Sequence, residues 1–390
     1  MDCARSQTAS RRLKKTLAVG PPTALVLSVA SILVMSRNIM TLMDLTLGYK
    51  HSVTRSGHEE KASTMLLRPF ATFALFCFAL CVAVFAPGSA RAAGPVRVVA
   101  SFSILADMLK NIGGNDVSVT NLIGPDADPH AFDPTPDDMR TIAAARLVFI
   151  NGLGLEGWLT RLKSQGETHN HIVTASAGIA PRLMKDGKKT AIDPHAWQDM
   201  TNAHVYVRNI ADALAAALPD EADAIRKRAE DYDKKIDDTD KWIRSQIDDI
   251  PPARRLVITS HDAFGYFSRA YGVQMLAPQG LSTETEPSAA DLAKLDRQVR
   301  DNHVTTVFLE NMSDPRLIER IARDTDAQVG KPLYADALSP PDGPAPDYLR
   351  MMRYNVTKMV ATMREADEKQ QADAAARANN TSIAPEIADE

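Results

Sequence analysis

Four residues far apart in the chain carry side chains suited to a metal ion: His130, His195, His261 and Asp336. His130 lies in Asp128-Pro129-His130-Ala131-Phe132-Asp133-Pro134-Thr135-Pro136 and His195 in Asp193-Pro194-His195-Ala196-Trp197. His261 follows an apolar run in Ser260-His261-Asp262-Ala263-Phe264-Gly265-Tyr266, and Asp336 sits in Leu333-Tyr334-Ala335-Asp336-Ala337-Leu338-Ser339. Three imidazoles and a carboxylate form a set that suits Zn²⁺ at about 2.0–2.2 Å. The same set tolerates Mn²⁺ or Fe²⁺. Proline fixes the backbone in both Asp-Pro-His segments, so each imidazole has little freedom left to lose. Four protein donors leave no open position for a reactive water, which favours holding an ion over catalysis with it. Any one of these residues alone is ordinarily a packed or capping group. Their shared position, each in a loop that follows an apolar strand, makes them a set.

Those strands alternate with helices. Apolar runs at 96–102, 117–123, 147–150 and 172–174 predict buried strands, with helices over 104–112, 136–145 and 157–163. Thr135-Pro136-Asp137-Asp138 reads as a helix start: a hydroxyl cap, Pro at the first position, acid in the first turn. The rhythm lapses after Asn202 and resumes with strands at 256–259, 273–276, 305–309 and 328–333. Helices are expected over 263–271, 289–301, 316–325 and 347–368. Strands alternating with helices imply parallel sheets with crossovers. The predicted fold is therefore α/β, with two lobes of roughly four parallel strands at 93–218 and 251–368. In open parallel sheets ligands bind beyond the carboxyl ends of strands, so facing lobes would bring the four residues to one cleft. Between the lobes, Ala222, Ile225, Ala229, Tyr232, Ile236, Ile243, Ile247 and Ile250 form one apolar stripe, predicting a linking helix over 219–250. The Ala-, Asn- and Asp-rich tail, 369–390, is expected to lack structure.

The N-terminus reads as targeting sequence. Met65 and Arg68 precede an apolar stretch at 69–86, and Ala90-Arg91-Ala92 follows it, which predicts a secretory signal over 65–92 cut after Ala92. Residues 1–64, with a second apolar stretch at 17–35, are an unusual prelude and are read as a misassigned start. All three cysteines (Cys3, Cys77, Cys81) fall before the cut, so a metal site in the body has no thiolate. Residues 1–92 hold 11 Lys/Arg against 4 Asp/Glu, leaving 34 against 45 for the body. A body that acidic lacks the basic footprint of a nucleic-acid binder.

At these residues the chain resembles the metal-specific solute-binding proteins of ABC importers, in the zinc-uptake and treponemal metal-binding cluster. The resemblance runs over 96–366 and is most specific at 124–136, 193–197, 260–272, 280–289 and 333–339. It implies metal in an interlobe cleft, with His130, His195, His261 and Asp336 as ligands. It also implies a periplasmic protein, expected to be a monomer, that delivers Zn²⁺ to an inner-membrane permease driven by a cytoplasmic ATPase. A metallochaperone is a further candidate partner. The third ligand is commonly a carboxylate in manganese-handling relatives, so His261 points to zinc, with Mn²⁺ or Fe²⁺ as the alternative and a zinc hydrolase as the distant one. His169 and His171 vaguely resemble the His-rich loop of some zinc members; a solvated loop is the plainer reading. Glu284 and Glu286 lie on a loop expected at the cleft rim. Glu310 and Asn311 are candidates to orient a ligand imidazole. His204 and His303 read as structural.

Overall fold

A computed structural model of the chain describes residues 94–382, apart from 160–170, 187–188, 281–282, 284–287, 303 and 326. The expected signal and upstream segments, the three cysteines, His169, Glu284, Glu286, His303 and the last eight residues lie outside the described residues, as does the expected helix beyond Leu159.

The first sheet consists of β1 (Val96–Phe102), β2 (Val117–Ile123), β3 (Leu147–Ile150) and β4 (His171–Thr174), all parallel and ordered β2-β1-β3-β4. After β4 comes an antiparallel hairpin, β5 (Arg182–Asp186) and β6 (Lys189–Asp193). The second sheet is built from β7 (Leu256–Ile258), β8 (Gln274–Leu276), β9 (Thr306–Val307) and β10 (Gln328–Val329), again parallel, in the order β10-β9-β7-β8. The two sheets thus share one strand order, with β1 and β7 in equivalent central places.

Helices α1 (Ser103–Gly113) and α2 (Pro136–Ala144) serve the first sheet. Thr135 caps α2 as its sequence predicts: its hydroxyl accepts from Asp138 N at 3.2 Å, and Asp138 accepts from Thr135 N at 2.9 Å. Helix α3 (Met200–Ala217) fills the stretch in which the strand rhythm lapses; its alanines blur the apolar stripe that would mark it. Helix α4 (Ala222–Asp248) is the linking helix; Pro219–Glu221 ahead of it form a separate 3₁₀ turn. Its stripe runs unbroken, since buried Thr239 fills the gap between Ile236 and Ile243 and accepts from Arg353 at 3.2 Å. His204 is structural as expected: it joins α3 to α4 through Asp233 (2.7 Å) and Asp237 (3.0 Å).

The second lobe adds α5 (Gly265–Tyr271), α6 (Ala289–Asp301) and α7 (Pro315–Thr325). Helix α8 starts at Tyr348 and runs to Ser382, past Glu368. Residues 369–382, expected to lack structure, are therefore helical, consistent with the high helix propensity of their many alanines. One apolar core runs from β1, α1 and α3 through α4 to α5 and α8, tying the lobes together; the outer face of the second sheet has its own small core with α6 and α7. Among the described residues no helix is long and apolar enough to cross a membrane.

Candidate metal centre

Each of the four predicted residues sits beyond the carboxyl end of a strand. His130 follows β2, His195 follows β6, His261 follows β7 and Asp336 follows β10. The fold brings all four together: one donor atom from each lies within 4.8 Å of the others. His195, His261 and Asp336 are fully buried, and His130 is nearly so.

The two Asp-Pro-His segments use one local device. Asp128 Oδ1 accepts from His130 N at 2.8 Å, and Asp193 Oδ1 accepts from His195 N at 3.0 Å. An aspartate that accepts the N–H two residues on, with proline between, closes a turn that aims the histidine. Asp193 goes further and takes His195 Nδ1 at 2.7 Å, while its other oxygen takes Arg182 Nη1 at 2.7 Å. Burial by itself pushes the Asp193 carboxyl up, but the His195 hydrogen bonds and the Arg182 charge outweigh it and hold it low.

His261 is aimed by Glu310. Its backbone N–H donates to Glu310 Oε1 at 3.2 Å, and its Nδ1 makes a short contact with Glu310 Oε2. Asn311 does not share this task; its amide donates to Asp126 Oδ1 at 2.8 Å. The Asp336 loop is gripped from the other lobe. Trp197 Nε1 and Gln198 Nε2 both donate to Ala335 O, at 2.9 and 2.8 Å, and Leu338 N donates to Ser103 Oγ at 2.9 Å.

With Nδ1 of His195 turned to Asp193 and Nδ1 of His261 turned to Glu310, each ring, once neutral, would present the Nε2 lone pair to the centre. Asp336 presents two more acceptors there. His261 Nε2 and both Asp336 oxygens are buried with no hydrogen-bond partner. A buried polar atom left unsatisfied costs about 1–3 kcal/mol, so three in one place call for a cation. Protons supply part of it in the metal-free protein. Burial pushes the His261 imidazole down, yet Glu310 and Asp336 outweigh it and raise it well above its ordinary range. Burial likewise pushes Asp336 up, but His195 and His261 hold it well below the usual carboxylate range.

The spacing indicates ion size. Asp336 stands 3.1 Å from His261 Nε2, 3.3 Å from His130 Nε2 and 3.5 Å from His195 Nε2. The His130 and His195 Nε2 atoms are 3.2 Å apart. Four donors at about 2.0–2.1 Å from one ion are separated by about 3.3–3.4 Å along a tetrahedron's edges. Calcium, at about 2.3–2.6 Å with six or more oxygens, fits neither the spacing nor the imidazoles.

Glu310→Gln is expected to weaken zinc binding by about 10–100-fold in a chelator competition, because an amide cannot accept from both His261 donors. An unchanged affinity would remove Glu310 from the account. The roles of Asp128, Asp193 and Arg182 went unassigned in the sequence; an Asp two places before His130 and another two places before His195 were the available signal.

Comparison with known proteins agrees with this architecture. Residues 98–362 match the family model "Zinc-uptake complex component A periplasmic". A manganese ABC transporter substrate-binding lipoprotein of Streptococcus anginosus is 30% identical over 68% of this chain and 88% of its own. The zinc-binding protein TroA of Treponema pallidum is 30% identical over 72% of this chain and 92% of its own. The solved periplasmic zinc-binding TroA superposes with a TM-score of 0.66 at 29% identity, covering 69% of this chain and 99% of that one. A Mn-bound periplasmic metal-binding protein from candidatus liberibacter asiaticus superposes at 0.63 with 31% identity, covering 69% and 99%. The chain belongs to the zinc-uptake component A family of transport substrate-binding proteins, which are not enzymes.

Proposed function

We propose that this protein captures one Zn²⁺ ion between its lobes in the periplasm, as a monomer. It passes the ion to an inner-membrane ABC permease driven by a cytoplasmic ATPase. His130, His195, His261 and Asp336 are the ligands. The observation that carries this reading is the convergence of four side chains whose donor atoms lie within 4.8 Å of one another, with His261 Nε2 and both Asp336 oxygens buried and without a hydrogen-bond partner. The site has four protein donors, which suits capture and release rather than hydrolysis.

Zinc is favoured over manganese because the third donor is an imidazole locked by Glu310, which makes an N₃O set. Manganese is the second reading, since relatives named for manganese match as well as those named for zinc. Competition titration of metal-stripped protein with both ions separates the two readings. Zinc is expected to win by at least tenfold, and His261→Glu is expected to move the preference toward manganese. Zinc selectivity unchanged by that substitution would remove the argument from the third ligand.

A further inference from the structure

Arg182 opens β5 and stands directly opposite Asp193 in the hairpin register. Its guanidinium donates to Asp193 Oδ2 at 2.7 Å, on the carboxylate whose other oxygen orients His195. These contacts lie within the first lobe. The same residue also meets the second lobe. Its backbone N–H donates to Tyr266 OH at 2.9 Å, and its guanidinium lies so close over Gly265 that any Cβ there would run into it. Gly265 and Tyr266 open α5, just beyond His261. Met184, on the same hairpin face as Arg182, is buried, whereas the opposite face exposes Leu183 and Ile192. The hairpin thus meets the second lobe through Arg182, which stands between the two walls of the metal centre.

We propose that Arg182 is an interlobe clasp. It is a positioning residue that joins the Asp193–His195 wall to the α5–His261 wall and so sets how fast the bound ion leaves. The glycine at 265 is the seat of this clasp, because only a residue without a side chain lets the planar guanidinium rest on the α5 backbone. This rests on the zinc-capture reading. Opening the cleft must separate His195 from His261, and Arg182 contacts both sides of that separation. Its loss acts on departure rather than encounter: Asp193 is fully buried though Arg182 is only partly so, and removing the hydrogen-bonded partner of a buried charge chiefly raises the off-rate.

The test is stopped-flow release of zinc from the loaded protein into excess chelator, with the association rate measured in parallel. Arg182→Met is expected to release zinc on the order of tenfold faster, with association changed by less than twofold. Gly265→Ala displaces the guanidinium from the other lobe without removing its charge, and is expected to speed release in the same way. Tyr266→Phe removes the acceptor of the Arg182 N–H and supplies a third variant, expected to act in the same direction. Because Arg182→Met and Gly265→Ala break one contact from two sides, their double variant should release no faster than Arg182→Met alone. Unchanged release in Arg182→Met, an effect of Arg182→Met with none in Gly265→Ala, or effects that multiply in the double variant would overturn the clasp. Wild-type protein that takes up no zinc would instead overturn the capture reading on which the clasp rests.

Discussion

Asp336→Asn is expected to weaken zinc binding by on the order of a thousandfold. Asp336 is the one anion among the four donors, and it is fully buried. With three neutral imidazoles and an amide, a divalent ion would sit in the interior with no anion in contact with it. Removing one partner from a buried charge pair costs about 3–5 kcal/mol, which corresponds to a factor of roughly 10² to several thousand. The substitution is nearly isosteric, and the loop keeps its grip through Ala335 O and Leu338 N. The loss is therefore one of charge rather than of fold. Competition against a zinc chelator measures it, and a loss smaller than tenfold would show that Asp336 is not a ligand.

The second large effect is on stability. A ligand that binds only the folded state at a thousand times its Kd adds about 4.1 kcal/mol. At about 2–4 °C per kcal/mol for a body of this size, saturating zinc should raise the calorimetric midpoint by roughly 8–16 °C. A chelator should reverse the rise, and Asp336→Asn should remove most of it. The sign of the pH dependence follows from His261. Its folded pKa is raised, so in the metal-free protein its proton contributes stability that is present at low pH and lost as pH rises through that folded value. Zinc must expel this proton. Both the affinity and the midpoint shift should then shrink as pH falls, beginning above the ordinary imidazole range near about 6.5. A zinc-induced shift equal at pH 5 and pH 7.5 would contradict histidine ligation.

Much of this architecture is legible in the sequence, for local reasons. Buried parallel strands must be apolar runs, so β1, β2 and β3 stand where 96–102, 117–123 and 147–150 place them. His130, His261 and Asp336 were visible because each lies in a loop after such a run, and His195 because its Asp-Pro-His segment repeats that of His130. The hairpin at Arg182–Asp186 and Lys189–Asp193 was not visible. Its inward residues, Arg182 and Met184, do not alternate with polar ones, and Leu183 and Ile192 point outward. Its contacts with the other lobe, through Arg182 to Gly265 and Tyr266, are ones that no local pattern records. In the structure Gln198 holds Ala335 O, and Asp199 caps α3 by accepting from Thr201 N at 2.9 Å. Glu310 was legible as an acid just past a strand, whereas Asn311, its neighbour, turned out to serve the contact with Asp126.

Zinc K-edge X-ray absorption on protein loaded with one equivalent of zinc addresses the central claim most directly. Four nitrogen or oxygen neighbours at about 2.0–2.1 Å, with the outer-shell scattering of three imidazoles, are the predicted result. Six oxygen neighbours at longer distance, or a spectrum unaltered by replacing any of His130, His195 and His261, would contradict it.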